Sequence, residues 1–159
     1  MTGPRLRRAY FETQFGQLHV HSAIPAGGGF DERTTLICVH PRGVSGRFFA
    51  ALLPGLGQDR SVYAPDLPGC AESDGPAEAT PADLGQALLE FIAEMRFRQL
   101  DLLAFGTGID VAREIARARP TLVRRCLELP TRGNAASGTE APLRIDQLAD
   151  IRARLDGAA

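Results

Sequence analysis

Ser61-Val62-Tyr63-Ala64-Pro65-Asp66-Leu67-Pro68-Gly69 is the stretch on which the fold turns. Ser61–Ala64 is a short apolar run, too brief for a helix, and Pro65 breaks it because proline has no N–H for a sheet ladder. It reads as a strand buried on both faces. Gly69–Ala79 follows as a loop rich in Gly, Pro, Asp and Ser. Thr80 then offers its hydroxyl as an N-cap, with Pro81 at the first helical position. Leu84, Leu88, Phe91, Ile92 and Met95 recur at helical spacing and predict one apolar stripe facing a core.

The pattern repeats on either side. Upstream, Thr35–Val39 is a second buried strand, and Phe48–Leu53 reads as a helix ended by Pro54-Gly55. Ala9–Phe15 and Leu18–Ile24 alternate apolar and polar residues around Gly16-Gln17, which predicts a β-hairpin, and Pro25–Phe30 is a glycine-rich turn. Downstream come a strand at Leu100–Phe105, a tight turn at Gly106-Thr107-Gly108, a helix over Ile109–Arg119 stopped by Pro120, and a strand at Val123–Leu129. Pro130–Pro142 reads as a linker, and Ile145, Leu148, Ile151 and Leu155 as the apolar side of a terminal helix. Strands alternating with helices predict an α/β fold: a mostly parallel three-layer sandwich of about six strands, opened by an antiparallel hairpin. Residues 1–130 form the expected core, 131–142 a linker and 143–159 a C-terminal amphipathic helix.

Composition narrows the function. The 159 residues suit one domain, and 44% are apolar, enough for a packed globule. A formal net charge of -1 gives no general attraction to nucleic acid or to an anionic membrane. Lysine is absent, a bias we attribute to base composition, and the arginines read as solvated faces. No apolar run approaches membrane-spanning length, and no signal peptide is visible. Cys38, Cys70 and Cys126 are odd in number and match no zinc or CxxC spacing. We therefore expect a reduced, cytoplasmic protein with no metal and no cofactor.

Several segments carry a resemblance. The strand ending at Val39 runs into His40-Pro41-Arg42-Gly43-Val44-Ser45-Gly46-Arg47-Phe48, which resembles the oxyanion loop of the α/β-hydrolase family, with Pro41 where a glycine is usual. Val62–Gly69, followed by Ser73-Asp74, is very similar to that family's fourth-strand signature. The helix from Pro81 and the strand Leu100–Phe105 fall where the family places them. The nucleophile elbow, Gly-x-Ser-x-Gly, corresponds to Ala104-Phe105-Gly106-Thr107-Gly108. The resemblance covers about the first 130 residues. It implies a truncated α/β-hydrolase fold, the last two strands having no counterpart.

Family chemistry needs an activated hydroxyl, a histidine base, an acid that orients it, and an oxyanion hole. Gly106 provides no nucleophile, and His19, His21 and His40 all precede residue 41. Thr107, Cys70, His40 and Asp66 are the alternative chemical groups. Thr107 reads better as a helix-start residue, Cys70 has no His or Lys beside it, and the resemblance gives His40 and Asp66 structural roles. His40, Pro41, Arg42, Gly43, Gly106 and Thr107 are the residues expected around a pocket suited to a small acyl or carboxylate ligand. The expected function is a hydrolase-like pseudoenzyme that binds a small ligand or a protein partner. The alternatives are a hydrolase with an unorthodox nucleophile or a site completed by another chain, and a structural subunit. Val123–Leu129 is an edge that needs cover, from the terminal helix or from a second copy in a homodimer.

Overall fold

The computed structural model describes residues 3–28, 33–131 and 141–157. The end of the predicted 25–30 turn and most of the 131–142 linker lie outside these residues. Six strands form one sheet in the order β1-β2-β4-β3-β5-β6: β1 (Arg5–Thr13), β2 (Gly16–Ile24), β3 (Thr35–Val39), β4 (Val62–Pro65), β5 (Leu100–Phe105) and β6 (Val123–Leu129). The β3–β4, β3–β5 and β5–β6 pairs are parallel, while β1–β2 and β2–β4 are antiparallel. The mostly parallel sandwich with an opening hairpin is thus the observed architecture.

Alternation along the central strands explains why they read as continuous apolar runs. Successive side chains point to opposite faces, and both faces are covered. Ile37, Val39, Leu102 and Ala104 pack with α2 (Pro81–Met95) and α3 (Gly108–Ala118). Leu36, Cys38, Leu103 and Phe105 pack on the opposite face with Phe48, Phe49, Leu52 and Leu56, and with Ile151 and Leu155 of α4 (Leu148–Leu155). Thr80 caps α2 as expected: its Oγ1 accepts from the Asp83 N–H at 3.1 Å, and Asp83 Oδ2 accepts from the Thr80 N–H at 3.3 Å. Such a cap contributes roughly 1 kcal/mol.

Local details depart from the sequence reading, each for a physical reason. The hairpin turns at Gln14-Phe15, with Thr13 opposite Gly16, and Gly16 (φ 101°) begins β2 rather than forming the tip. β1 starts at Arg5 because its ladder is made of backbone and its exposed side chains tolerate arginine. Phe48–Leu53 is not one helix. A 3₁₀ turn spans Gly46–Phe49, and α1 (Leu53–Leu56) follows with Pro54 in its first turn, where the missing N–H has no helical partner to lose. Pro54 therefore opens a helix instead of ending one. β4 runs one residue later than predicted, through Pro65. Ile145 leaves the apolar stripe: it sits exposed in a 3₁₀ turn, Ile145–Gln147, before α4.

α4 folds back over the α1 face and is fixed by charge. Arg152 donates to the Gly55 carbonyl at 2.5 Å and to Asp59 at 2.8 Å. Asp156 accepts from Arg60 at 2.8 Å and from Arg33 at 2.5 Å. Among the described residues no helix is long and apolar enough to cross a membrane.

Candidate functional site

The carboxyl ends of β3, β4 and β5 bring three loops together, the usual place for a site in an open α/β sheet. The first loop starts at His40, the second at Asp66 and the third at Gly106.

His40 is fully buried and both ring nitrogens are engaged. Nδ1 lies 2.7 Å from the Pro41 carbonyl, and Nε2 accepts from the Leu67 N–H at 2.9 Å. That pair of partners defines the neutral Nδ1–H tautomer. Burial pushes its pKa below the ordinary value, outweighing the Pro41 carbonyl and the nearby Asp66. His40 thus ties the β3 loop to the β4 loop and has no free nitrogen for a reacting group.

Asp66 braces the second loop. Its Oδ1 accepts from the Gly46 N–H at 2.7 Å, its Oδ2 lies 2.9 Å from His19 Nδ1, and the Glu72 N–H donates to Oδ2 at 3.3 Å. Burial penalises the charge, but hydrogen bonds from His21, Gly46, His19 and Glu72 win, and the carboxyl is held well below the usual carboxylate range. The resemblance gave Asp66 a bracing role. The sequence reading does not place His19 and His21 in that brace; the His-x-His alternation on β2 is the signal that could have done so.

Gly106 occupies the sharp turn with φ 54°, a left-handed backbone that glycine adopts without steric cost. A Cβ built there would lie 3.0 Å from Thr131 Cγ2 and 3.3 Å from Pro41 Cβ. The space where a side chain would rise is therefore roofed by Thr131 and Pro41. Gly108 permits a second close approach, since a Cβ there would meet the His40 and Val39 carbonyl oxygens at 2.6 and 2.7 Å. α3 starts at Gly108, one residue earlier than read from sequence. Thr107 precedes it without capping it by its side chain. Its hydroxyl instead accepts from the Arg42 N–H at 2.6 Å, locking the first loop to the third.

A small pocket of about 100 Å³ opens beside these loops, between the starts of α2 and α3. Arg42, Cys70 and Thr107 line it with Leu84, Asp110 and Val111, whereas His40, Pro41, Gly43 and Gly106 do not. The Arg42 guanidinium donates to the Ala79 carbonyl at 3.1 Å and so lies across the pocket wall. Burial pushes the Cys70 thiol pKa up, which keeps it protonated and poorly nucleophilic.

No protein-family model matches this sequence, and no curated protein matches it. Solved structures do. Cfl2 from Burkholderia cenocepacia superposes at a TM-score of 0.70 with 23% identity, over 82% of this chain and 42% of that one. The epoxide hydrolase CorEH superposes at 0.71 with 18% identity, over 94% and 51%. This chain has the α/β-hydrolase fold. A further α/β-hydrolase-fold structure, a serine-to-glycine variant of the N-acyl homoserine lactonase AidH complexed with N-hexanoyl homoserine lactone, superposes at 0.67 with 23% identity, over 77% and 44%. The chain spans about half the length of these α/β-hydrolase-fold structures.

Proposed function

We propose that this α/β-hydrolase-fold chain is a pseudoenzyme that holds a small acyl or carboxylate ligand, or a protein partner, without serine-type hydrolysis. The observation that carries the reading is Gly106: the elbow keeps its turn, but its apex bears only hydrogen and lies under Thr131 and Pro41. His40, at the end of β3, has both ring nitrogens committed and offers no base. The AidH serine-to-glycine variant with its acyl lactone supports compatibility between such an exchange and ligand binding.

The pocket beside the elbow holds about 100 Å³. Ordinary small-molecule pockets run about 300–1,000 Å³. The ligand is therefore a group of few heavy atoms, such as a short acyl chain whose carboxylate meets Arg42. Thermal-shift measurements with short-chain carboxylates and their esters test this. At about 100 times Kd a ligand adds ~2.7 kcal/mol, roughly 5–10 °C in Tm for a chain of this size. The rise should disappear in Arg42→Ala, and a fluorophosphonate probe should leave the protein unlabelled. Failure of every compound to shift Tm removes the ligand; ester cleavage at enzymatic speed removes the pseudoenzyme.

A second reading, a hydrolase site completed by another chain, draws on the half-length span. A lysate partner that confers esterase activity on the mixture would favour it. The unpaired Cys38, Cys70 and Cys126 fit a reducing cytoplasm. The edge position of β6 suits a homodimer, which light scattering would detect.

A further inference from the structure

We propose that His19, His21 and Asp66 form a binding site for one divalent cation of the zinc class, apart from the pocket beside the elbow. The site follows from strand geometry. Residues two apart on a strand share a face, so Leu18 and Val20 point into the core under α2 while His19 and His21 point to the other side. The antiparallel β2–β4 register pairs His21 with Ala64, and the Asp66 N–H donates to the His19 carbonyl at 2.8 Å. The carboxylate thereby meets both rings.

His19 Nδ1 lies 2.9 Å from Asp66 Oδ2 and His21 Nε2 lies 3.5 Å from Asp66 Oδ1. All three ligand atoms fall within 4.8 Å of one another. His19 and Asp66 are 2% and 1% exposed, and His21 14%. A buried carboxylate demands a positive partner. Among the described residues, the ion-pair partners of Asp66 are these two imidazoles, with no arginine among them. A divalent cation held among these three ligand atoms supplies such a partner.

The supporting shell is already built. The Gly46 and Glu72 N–H groups orient the carboxylate. Ser73 Oγ donates to the Asp66 carbonyl at 2.6 Å and accepts from the His19 N–H at 2.8 Å. Such outer contacts fix ligands in place. Gly46 makes room, since a Cβ there would lie 2.8 Å from His21 Cδ2. Imidazole with one carboxylate suits zinc, copper or nickel better than magnesium or calcium. Zinc bonds of about 2.0–2.1 Å set ligand atoms roughly 3.3 Å apart, so the more exposed His21 moves inward by about an ångström on binding. In the metal-bound form the His19 Nδ1–Asp66 contact gives way to a bond from each group to the ion. Three protein ligands leave a fourth position for water. The ion would clamp the opening hairpin to the loop after β4.

Titration of the untagged, chelator-treated chain with Co²⁺ tests this, followed by displacement with Zn²⁺. One equivalent of Co²⁺ should give the visible bands of a four-coordinate ion, and Zn²⁺ should abolish them. His21→Ala, which keeps the His19–Asp66 hydrogen bond, should weaken binding at least about 100-fold, and His21→Cys should restore it as a thiolate ligand. If His21→Ala does not fold, His21→Gln takes its place and should weaken Co²⁺ binding to a similar extent. Absence of saturable binding overturns the proposal, as does unchanged affinity in a folded His21→Ala, which would place the ion elsewhere.

Discussion

Asp66 and Asp101 are both buried carboxylates, set at opposite ends of one sheet, and they are neutralised by different means. Asp101, at the amino end of β5, accepts from Arg124 at 2.6 and 3.1 Å and from the Arg125 N–H at 3.1 Å, with buried Arg60 at 3.9 Å. Asp66, beyond the carboxyl end of β4, has only His19 and His21 as ion-pair partners among the described residues. Arginine is a permanent cation with a fixed fork of donors, while each imidazole presents a single ring nitrogen to the carboxylate. The amino end is therefore a permanent anchor, which also holds α4 through Arg60 and Asp156. On the proposed cation site, the carboxyl end is the adjustable one, its charge balance set by what binds there. This division fits the general placement of ligand sites in open α/β sheets.

Breaking the anchor should have the largest effect. Asp101→Ala leaves Arg124 without its carboxylate and takes from Arg60, 2% exposed, one of its three acidic neighbours, with Asp59 and Asp156 remaining. Removing one member of a buried ion pair costs about 3–5 kcal/mol. Urea denaturation should find a loss of that order, with α4 loosened in hydrogen exchange. A loss below about 1 kcal/mol would mean that the arginines find solvent, and the contrast between the two ends would fall.

Asp66→Asn should cost less, about 1.5–3 kcal/mol, the range for hydrogen bonds to a charged group. The amide keeps one acceptor for Gly46 or Glu72, and no buried arginine is left facing it. Chemical denaturation of the metal-free variant measures it. If Asp66→Asn proves costlier than Asp101→Ala, the carboxyl end is the true anchor.

Gly106→Ser sharpens the picture of the adjustable end. A side chain in the left-handed region costs about 1–2 kcal/mol, and Thr131 must also give way. Thr131→Ala should recover the part due to crowding, so the double variant should be more stable than the sum of the single effects. Neither variant should gain esterase activity, because among the described residues no free imidazole nitrogen faces the new hydroxyl, His40 having both of its own engaged.

The contrast also explains what the sequence could reveal. Strands β3, β4 and β5 were legible because burial on both faces leaves an unbroken apolar run. Thr80 was legible because a cap is local, and Gly106 because the elbow is a five-residue pattern. Other features depend on residues distant in sequence. The His19–His21–Asp66 cluster exists only through the β2–β4 register, and the roof over Gly106 comes from Thr131 across the β5–β6 pair. Burial of Arg60 likewise requires Asp101 and Asp156, 41 and 96 residues away. Pro54 misled for a local reason, since the same residue that stops a helix interior also suits a first turn.

The smallest expected effect is a pH dependence from His40, which joins the two halves of the adjustable end. Its native pKa is lowered, chiefly by burial, so between that value and 6.5 the unfolded chain binds a proton that the native chain refuses. Stability therefore rises with pH across this window and is lost as pH falls below 6.5, by no more than about 1.4 kcal/mol per pH unit for one proton. Urea midpoints at successive pH values should follow that slope in the metal-free protein. The His40 ring resonances of the native state should stay unshifted as pH passes 6.5. A normal titration of that ring would mean that water reaches Nε2. The Leu67 hydrogen bond would then be broken in solution, and the loop floor beneath Gly106 would be open rather than locked.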